Sequence, residues 1–418
     1  MLLENLLKDP LSSLQHMERY VNDGSPSGFT RKFTTSPTTT PFGDEERFRL
    51  NVLRVPAVWS QAQGHFPDWM LPPSDEESSY LLVHPDMKGH VQLVHPQIHQ
   101  LGESSFGAIP TASGRTVQCD VPTEHDYIKL HYDGILGRMN RCLTLANATS
   151  AFEISQAIRS AVDSRRLPKQ FAFLPEEDFR VVTIPGPEAS HQWGMIRRRY
   201  APHARQGIST HALIPAFALF SRDKKNPRDP VLLDQLLDAA GTAAESSFVE
   251  TTLRPILASY FALLTTLGLQ PELNAQNLIF GLSTEAKIVA VILRDLESVD
   301  KDVSLMEDLG IHCGFSPSAF KTLSRTQYDY TIRHSLMFDF KFGEYLLAPL
   351  VESFCRFTGK GEDAITAAIK LLVEAYTADL PKDFFPKNLW YGHERTMIDR
   401  TSPARPYTKQ PNPRFRSQ

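Results

Sequence analysis

Residues 272–295 read ELNAQNLIFGLSTEAKIVAVILRD, and the fold turns on how this stretch is read. Two apolar, β-branched runs, LIFGL and KIVAVIL, flank the polar turn STEA, which is the pattern of a β-hairpin. Antiparallel pairing brings the start of the first strand beside the end of the second. Asn277 and Asp295 therefore meet at one mouth, although 18 positions separate them. An amide oxygen and a carboxylate converging there make a hard-oxygen site suited to Mg2+. A plain hairpin with polar ends is the competing reading, so the rest of the chain has to decide.

A second hairpin supplies the complement. Ser113, Arg115 and Thr116 open its first strand (GRTVQCDV), PTEHD turns it, and Lys129 lies on the return strand (YIKLHYD). Arg138 and Arg141 share one face of a helix expected across GILGRMNRCLTL. Hydroxyls, a lysine point charge and forked guanidiniums are what a polyphosphate needs for neutralisation and orientation. Much of this segment is apolar enough to be partly buried, and buried cations need anionic partners. Protein kinases combine the same parts: an Asn and an Asp hold metal ions on ATP phosphates.

The 418 residues suffice for a large core and, by length, for two or three domains. A net charge of −4 offers no global basic field for nucleic acid. Cys119, Cys142, Cys313 and Cys355 are scattered without a CxxC pair, as expected of reduced thiols rather than a zinc site or disulfide framework. The start, MLLENLLKDPLSSLQHMERY, is broken by acids and Pro10 and does not read as a secretory signal. No run reaches the roughly 18 apolar residues of a membrane span. A cytoplasmic protein without nucleic-acid or membrane partners is the expectation.

Residues 1–79 read as loop-rich, with RFRLNVLRV as one candidate strand. Residues 80–240 hold short strands (SYLLVHP, VQLVHP, FRVVTI, HALIPAFALF), the basic run IRRRYAPHAR and a helix AFEISQAIRSAV capped by Ser150 and Glu153. Residues 241–418 hold a long helix over about 246–267 that ends at Gly268, then the opening hairpin. Helices over 345–357 and 363–377 and an irregular tail after Pro403 follow.

In this order the motifs resemble the NRPS-independent siderophore synthetases, the aerobactin-synthetase-type family. TASGRT followed by YIKLHYDGILGRMNRCL is similar to the family's S-x-R-T…K-L…R-x-L region. GLQPELNAQNLIF is similar to G-x-x-x-E-x-H-x-Q-N, and VILRDLES to R-D-x-x-G. LVHPQIHQL, ALIPAFALFS, KNLWYGHER and QPNPRF extend the resemblance over roughly residues 80–418. It implies an α+β fold of fingers, palm and thumb, with a kinase-like palm containing antiparallel sheet. It also implies an enzyme that uses ATP and Mg2+ to adenylate a citrate-like carboxylate, after which an amine or hydroxyl displaces AMP. Ser113, Arg115, Thr116, Lys129, Arg141, Glu272, Gln276 and Asn277 would bind ATP, and Asn277 with Asp295 would hold the metal. Arg115, Lys129, Arg141 and Asn274 would be the catalytic set, and a homodimer is a family expectation.

The chain departs from the pattern at several points. Asn274 stands where the family has His, and an amide can hydrogen-bond but cannot take up a proton or a positive charge at neutral pH. HPQI replaces HPWQ, the glycine of R-D-x-x-G is replaced in RDLES, and the early HPxHPxxK element is not found. Substrate identity is affected more than ATP binding. On the substrate side the candidates are His95, Arg198 of the basic run, Lys387 and Arg395. His84, His90, His95 and His99 match no zinc spacing. No serine or cysteine nucleophile signature appears, in keeping with electrostatic catalysis on two anions. Two alternatives stay open. A phosphotransferase would use the same Asn–Asp pair, although no HRD precedes the Asn. A non-catalytic relative would bind a nucleotide or ferric chelate.

Overall fold

The computed structural model describes residues 2–21, 47–87, 95–111, 113, 115–136, 139–186, 191–315, 322–327, 330–378, 380, 394–398 and 407–411. The architecture is α+β, with sheets that are mainly antiparallel. Both hairpins expected from the sequence form. Thr116–Asp120 pairs with Tyr127–Leu130, with Thr116 opposite Lys129. Leu278–Leu282 pairs with Ile288–Leu293, with Leu278 opposite Leu293. The register continues one residue further, because the Arg294 amide donates to the Asn277 carbonyl at 3.0 Å.

Each hairpin belongs to a larger sheet. The first lies in a six-stranded sheet ordered Ser60–Gln63, Glu176–Ile184, His191–Arg198, Tyr127–Leu130, Thr116–Asp120, Gly107–Pro110. The second lies in a five-stranded sheet ordered His203–Ala204, Phe171–Phe173, Ile288–Leu293, Leu278–Leu282, Ala212–Pro215. Its one parallel pairing is Phe171–Phe173 beside Ile288–Leu293. All five residues of Leu278–Leu282 are buried, which explains an unbroken apolar run in place of alternation. Residues on both sides of position 240 thus share one sheet, and a strand ahead of position 80 joins the other.

Two apolar cores result. One gathers Val52, Leu81, Val117, Ile128 and Met195 under the six-stranded sheet. The larger joins the other face of that sheet to the five-stranded sheet and the helices, through Ile154, Ile196, Tyr260, Phe280 and Phe354. Its long helix is α-helical over Arg254–Leu267, preceded by a π-helical stretch Phe248–Leu253 that leads into Pro255. Gly268 closes it at φ 63°, where an added Cβ would come within 2.3 Å of the Met306 side chain.

Five expectations need correction. The stretch 1–79, expected to be loop-rich, holds the helices Leu2–Lys8 and Pro10–His16 and the strands Asn51–Pro56 and Ser60–Gln63. The stretch expected as a helix after Asp133 is a short hairpin, Tyr132–Leu136 with Met139–Arg141. The helix that follows begins at Leu145 with Thr144 as its cap, so Ser150 is buried inside it and caps nothing. HALIPAFALF is a strand only to Pro215, then turns into the helix Ala216–Phe220. The tail contains a hairpin, Glu394–Ile398 with Tyr407–Pro411. The expected strand VQLVHP falls mostly outside the described residues. None of the four cysteines forms a disulfide, and no described helix is long and apolar enough to cross a membrane.

Candidate functional site

Side chains alternate across a strand, and cross-strand partners share a face. Lys129 pairs with Thr116 on one side and Ile196 on the other, and Arg198 lies two residues beyond Ile196. Lys129 and Arg198 therefore emerge from the same face of the six-stranded sheet. There they meet the residues just past Ile288–Leu293. Lys129 Nζ donates to Asp295 Oδ1 and lies 2.5 Å from Glu297. Arg198 donates to Asp295 at 3.1 Å and to Glu176 at 2.6 Å. Arg115 donates to the same Glu297 oxygen, Oε2, at 3.2 Å. Two ribbons 166 positions apart in sequence are joined by these ion pairs.

All three cations are buried, while the Asp295 side chain keeps 28% of its exposure. Burial alone would raise the Asp295 carboxyl; the Lys129 and Arg198 charges outweigh it and hold the group below the usual carboxylate range. Glu297 behaves alike: burial opposes ionisation, and Lys129 with Arg115 overcomes it. Arg198 is pushed down by burial and raised more by Glu176 and Asp295, so its charge is secure. Asp295 itself sits at φ 70°, ψ 63°, in the left-handed region. A residue other than glycine keeps such a conformation where its surroundings over-determine it.

The opposite wall is the turn before Leu278. Asn274 is buried and ties the turn together: its Oδ1 accepts from the Gln276 and Asn277 amides at 2.9 and 3.0 Å, and its Nδ2 donates to Glu272 at 3.1 Å. Lys341 donates to the same Glu272 oxygen at 2.6 Å. Asn277 Nδ2 donates to the Glu272 carbonyl at 3.0 Å and to Ser298 Oγ at 3.2 Å. This fixes the amide and leaves Oδ1 as the atom available to a ligand. Ser298 stands at the glycine position of the R-D-x-x-G pattern, and its hydroxyl donates in turn to the Asp295 carbonyl at 2.6 Å. One hydroxyl thus links the residues carrying the amide oxygen and the carboxylate.

The remaining expected residues fall in several places. Thr116 is buried beside Lys129, and Ser113 Oγ accepts from the Thr116 amide at 3.1 Å, shaping the turn that leads to Arg115. Arg141 lies in the short hairpin opposite Tyr132, but its side chain is outside the described residues, as are the Arg395 side chain and Lys387. His95 meets Trp59 edge-on, and its Nδ1 accepts from the Gln97 amide at 3.2 Å. Arg197, next to Arg198, points the other way to Asp126 and Asp178 at 2.8 and 2.5 Å. Sequence reasoning missed Glu297, Glu176, Asn147, Lys341 and Ser298. Ser298 alone had a signal, in standing at the glycine position of the R-D-x-x-G pattern.

An oxygen pair of one carboxylate and one amide suits Mg2+, which keeps waters and phosphate oxygens as its other ligands. Among the described residues no three His, Cys, Asp or Glu side chains form a metal cluster. Carboxylates gathered with Arg115, Lys129 and Arg198 are the charges a magnesium–polyphosphate requires, so the residues present fit that group.

None of the protein-family models and none of the curated proteins matches the chain. Solved structures do, and the fold they define is the aerobactin-synthetase type. The petrobactin biosynthesis protein AsbB from Bacillus anthracis str. Sterne superposes with a TM-score of 0.72 at 15% identity, over 99% of this chain and 78% of that one. Aerobactin synthetase IucA from a hypervirulent pathotype of Klebsiella pneumoniae gives 0.70 at 13% identity, over 100% and 80%. Its ATP-bound structure gives 0.71 at 12%, over 100% and 81%. The chain spans about four fifths of these structures' length.

Proposed function

We propose that this chain is an ATP-dependent ligase of siderophore biosynthesis, which adenylates a citrate-like carboxylate and joins it to an amine or hydroxyl. The observation that supports the reading is the Lys129–Asp295 ion pair, which joins the ribbon bearing Arg115 and Lys129 to the strand end bearing Asp295. The likeness to an ATP-bound aerobactin synthetase supports ATP as the nucleotide. On this reading the six-stranded sheet is the fingers, the five-stranded sheet a kinase-like palm, and the C-terminal helices the thumb.

Asn277 Oδ1 and the Asp295 carboxylate would hold magnesium, which when bound withdraws charge from the phosphates. Arg115 and Lys129 exchange their carboxylate partners for phosphate oxygens and lower the repulsion between the two anionic reactants. The carboxylate oxygen of the acid forms a bond to the α-phosphorus as the bond to pyrophosphate breaks. The nucleophile's nitrogen or oxygen then attacks the acyl carbon, AMP leaves with the bonding electrons, and the nucleophile gives its proton to solvent. Alignment of the two anions is the rest of the protein's task. Asn274, whose polar atoms serve the turn, acts by holding Asn277 in place.

The test is turnover of ATP with a panel of di- and tricarboxylates, trapped by hydroxylamine. AMP and pyrophosphate should appear only with the right acid, and Asp295→Ala should abolish them. Release of ADP would replace this reading by a phosphotransferase, and nucleotide binding without any turnover by a non-catalytic binder.

A further inference from the structure

We propose that Glu18 is a positioning residue for the metal-facing pair, acting from the N-terminal helical segment through Arg294; this rests on the ligase reading of the site. The segment 2–21 is built into the main core by Leu6, Leu14, Met17 and Val21. Polar anchors fix it along its length. The Leu3 amide donates to Gln235 at 3.0 Å, His211 donates to the Leu7 carbonyl at 2.8 Å, and His16 bonds Asp223 at 2.7 Å. Its last turn, Met17–Val21, carries Glu18 inward, with 4% of its surface exposed.

Glu18 meets Arg294 at 2.5 Å, across 276 positions of sequence. Arg294 is the residue before Asp295, and it is buried too. Its Nε donates to the Gln276 carbonyl at 2.7 Å, and its backbone amide donates to the Asn277 carbonyl at 3.0 Å. One residue therefore clasps both strand ends, the one bearing Asn277 and the one bearing Asp295. A guanidinium is a planar fork, so a carboxylate on Nη1 sets the direction in which Nε points. Without that carboxylate a buried charge is left to find another partner, and the Gln276 contact loses its director. The left-handed backbone at Asp295 begins at the next residue, and it depends on neighbours that leave it no alternative.

Glu18→Gln keeps the shape and removes the charge. It should raise the half-saturating concentration of Mg2+ and of ATP by about tenfold or more, the usual scale for a partner one step behind a metal ligand, with a smaller change in kcat. Hydrogen exchange of the Asn277 and Arg294 amides should quicken in the protein without nucleotide. His16→Ala, which weakens the same segment's grip on Asp223, should leave both readouts near wild type. If Glu18→Gln does not fold, Glu18→Met with Arg294→Met removes both charges together and should show the same losses. Unchanged exchange at Asn277 and Arg294 would overturn the proposal, as would equal losses in His16→Ala. The exchange arm needs no ligand. A failed ligase reading would therefore appear as no acid-dependent release of AMP in the wild type, while the Glu18 coupling is still read by exchange.

Discussion

Glu297 holds Lys129 at 2.5 Å and Arg115 at 3.2 Å, and accepts from Asn147 Nδ2 at 2.7 Å, while almost out of contact with water. Burial opposes its ionisation, and the two cations bring its carboxyl down to about 2. Asp295 is depressed in the same direction. Carboxyls lowered below their unfolded values, near roughly 4, stabilise the fold in full above that pH. The contribution drains away as pH falls towards 2. The melting temperature should fall steeply over that window, and Glu297→Gln should flatten the descent; circular-dichroism melts in acid buffers decide it. Lys129, Arg115 and Asp295 were legible in the sequence because each sits at a defined place on a hairpin. Glu297 was not, since a glutamate in an irregular turn has no periodicity and its partners come from elsewhere in the chain.

The helix Leu145–Asp163 begins where the site needs it. Thr144 Oγ1 accepts from the Asn147 amide at 3.3 Å, and that first turn presents Asn147 to Glu297. Thr144→Ala should cost about 1 kcal/mol, the usual value of a lost cap. It would be read as a lower urea midpoint with an unchanged slope. The sequence pointed to the wrong turn because Ser150 and Glu153 imitate a capping box, whereas Thr144 is followed by Asn at the third place. The stretch before it was misread for a related reason. Ile135, Met139 and Leu143 repeat at a helical interval, and strands of five and three residues are too short to show alternation against it. The two long hairpins were legible because β-branched runs around polar turns have few other solutions.

At the scale of the molecule, the five-stranded sheet draws its strands from positions between 171 and 293, interleaved with parts of the six-stranded sheet. Local patterning shows that both ribbons exist. That they face each other follows from long-range topology, which only the order of the family-like motifs hinted at. Because the site bridges the two sheets, Mg·ATP should stabilise the chain as a unit, by about 2.7 kcal/mol at a hundred times its dissociation constant. A calorimetric scan should show the whole transition moving, not one shoulder of it. In this structure Lys129, Arg115 and Arg198 already spend their charge on Asp295, Glu297 and Glu176. Entry of a polyphosphate is then a trade of partners: a cation that occupies Asp295 releases Lys129 for phosphate, and phosphate that draws Lys129 away bares Asp295 for the cation. On the proposed reading metal and nucleotide would arrive as a cooperative pair, and a lone anion such as sulfate, bringing nothing for the abandoned carboxylates, would be turned away.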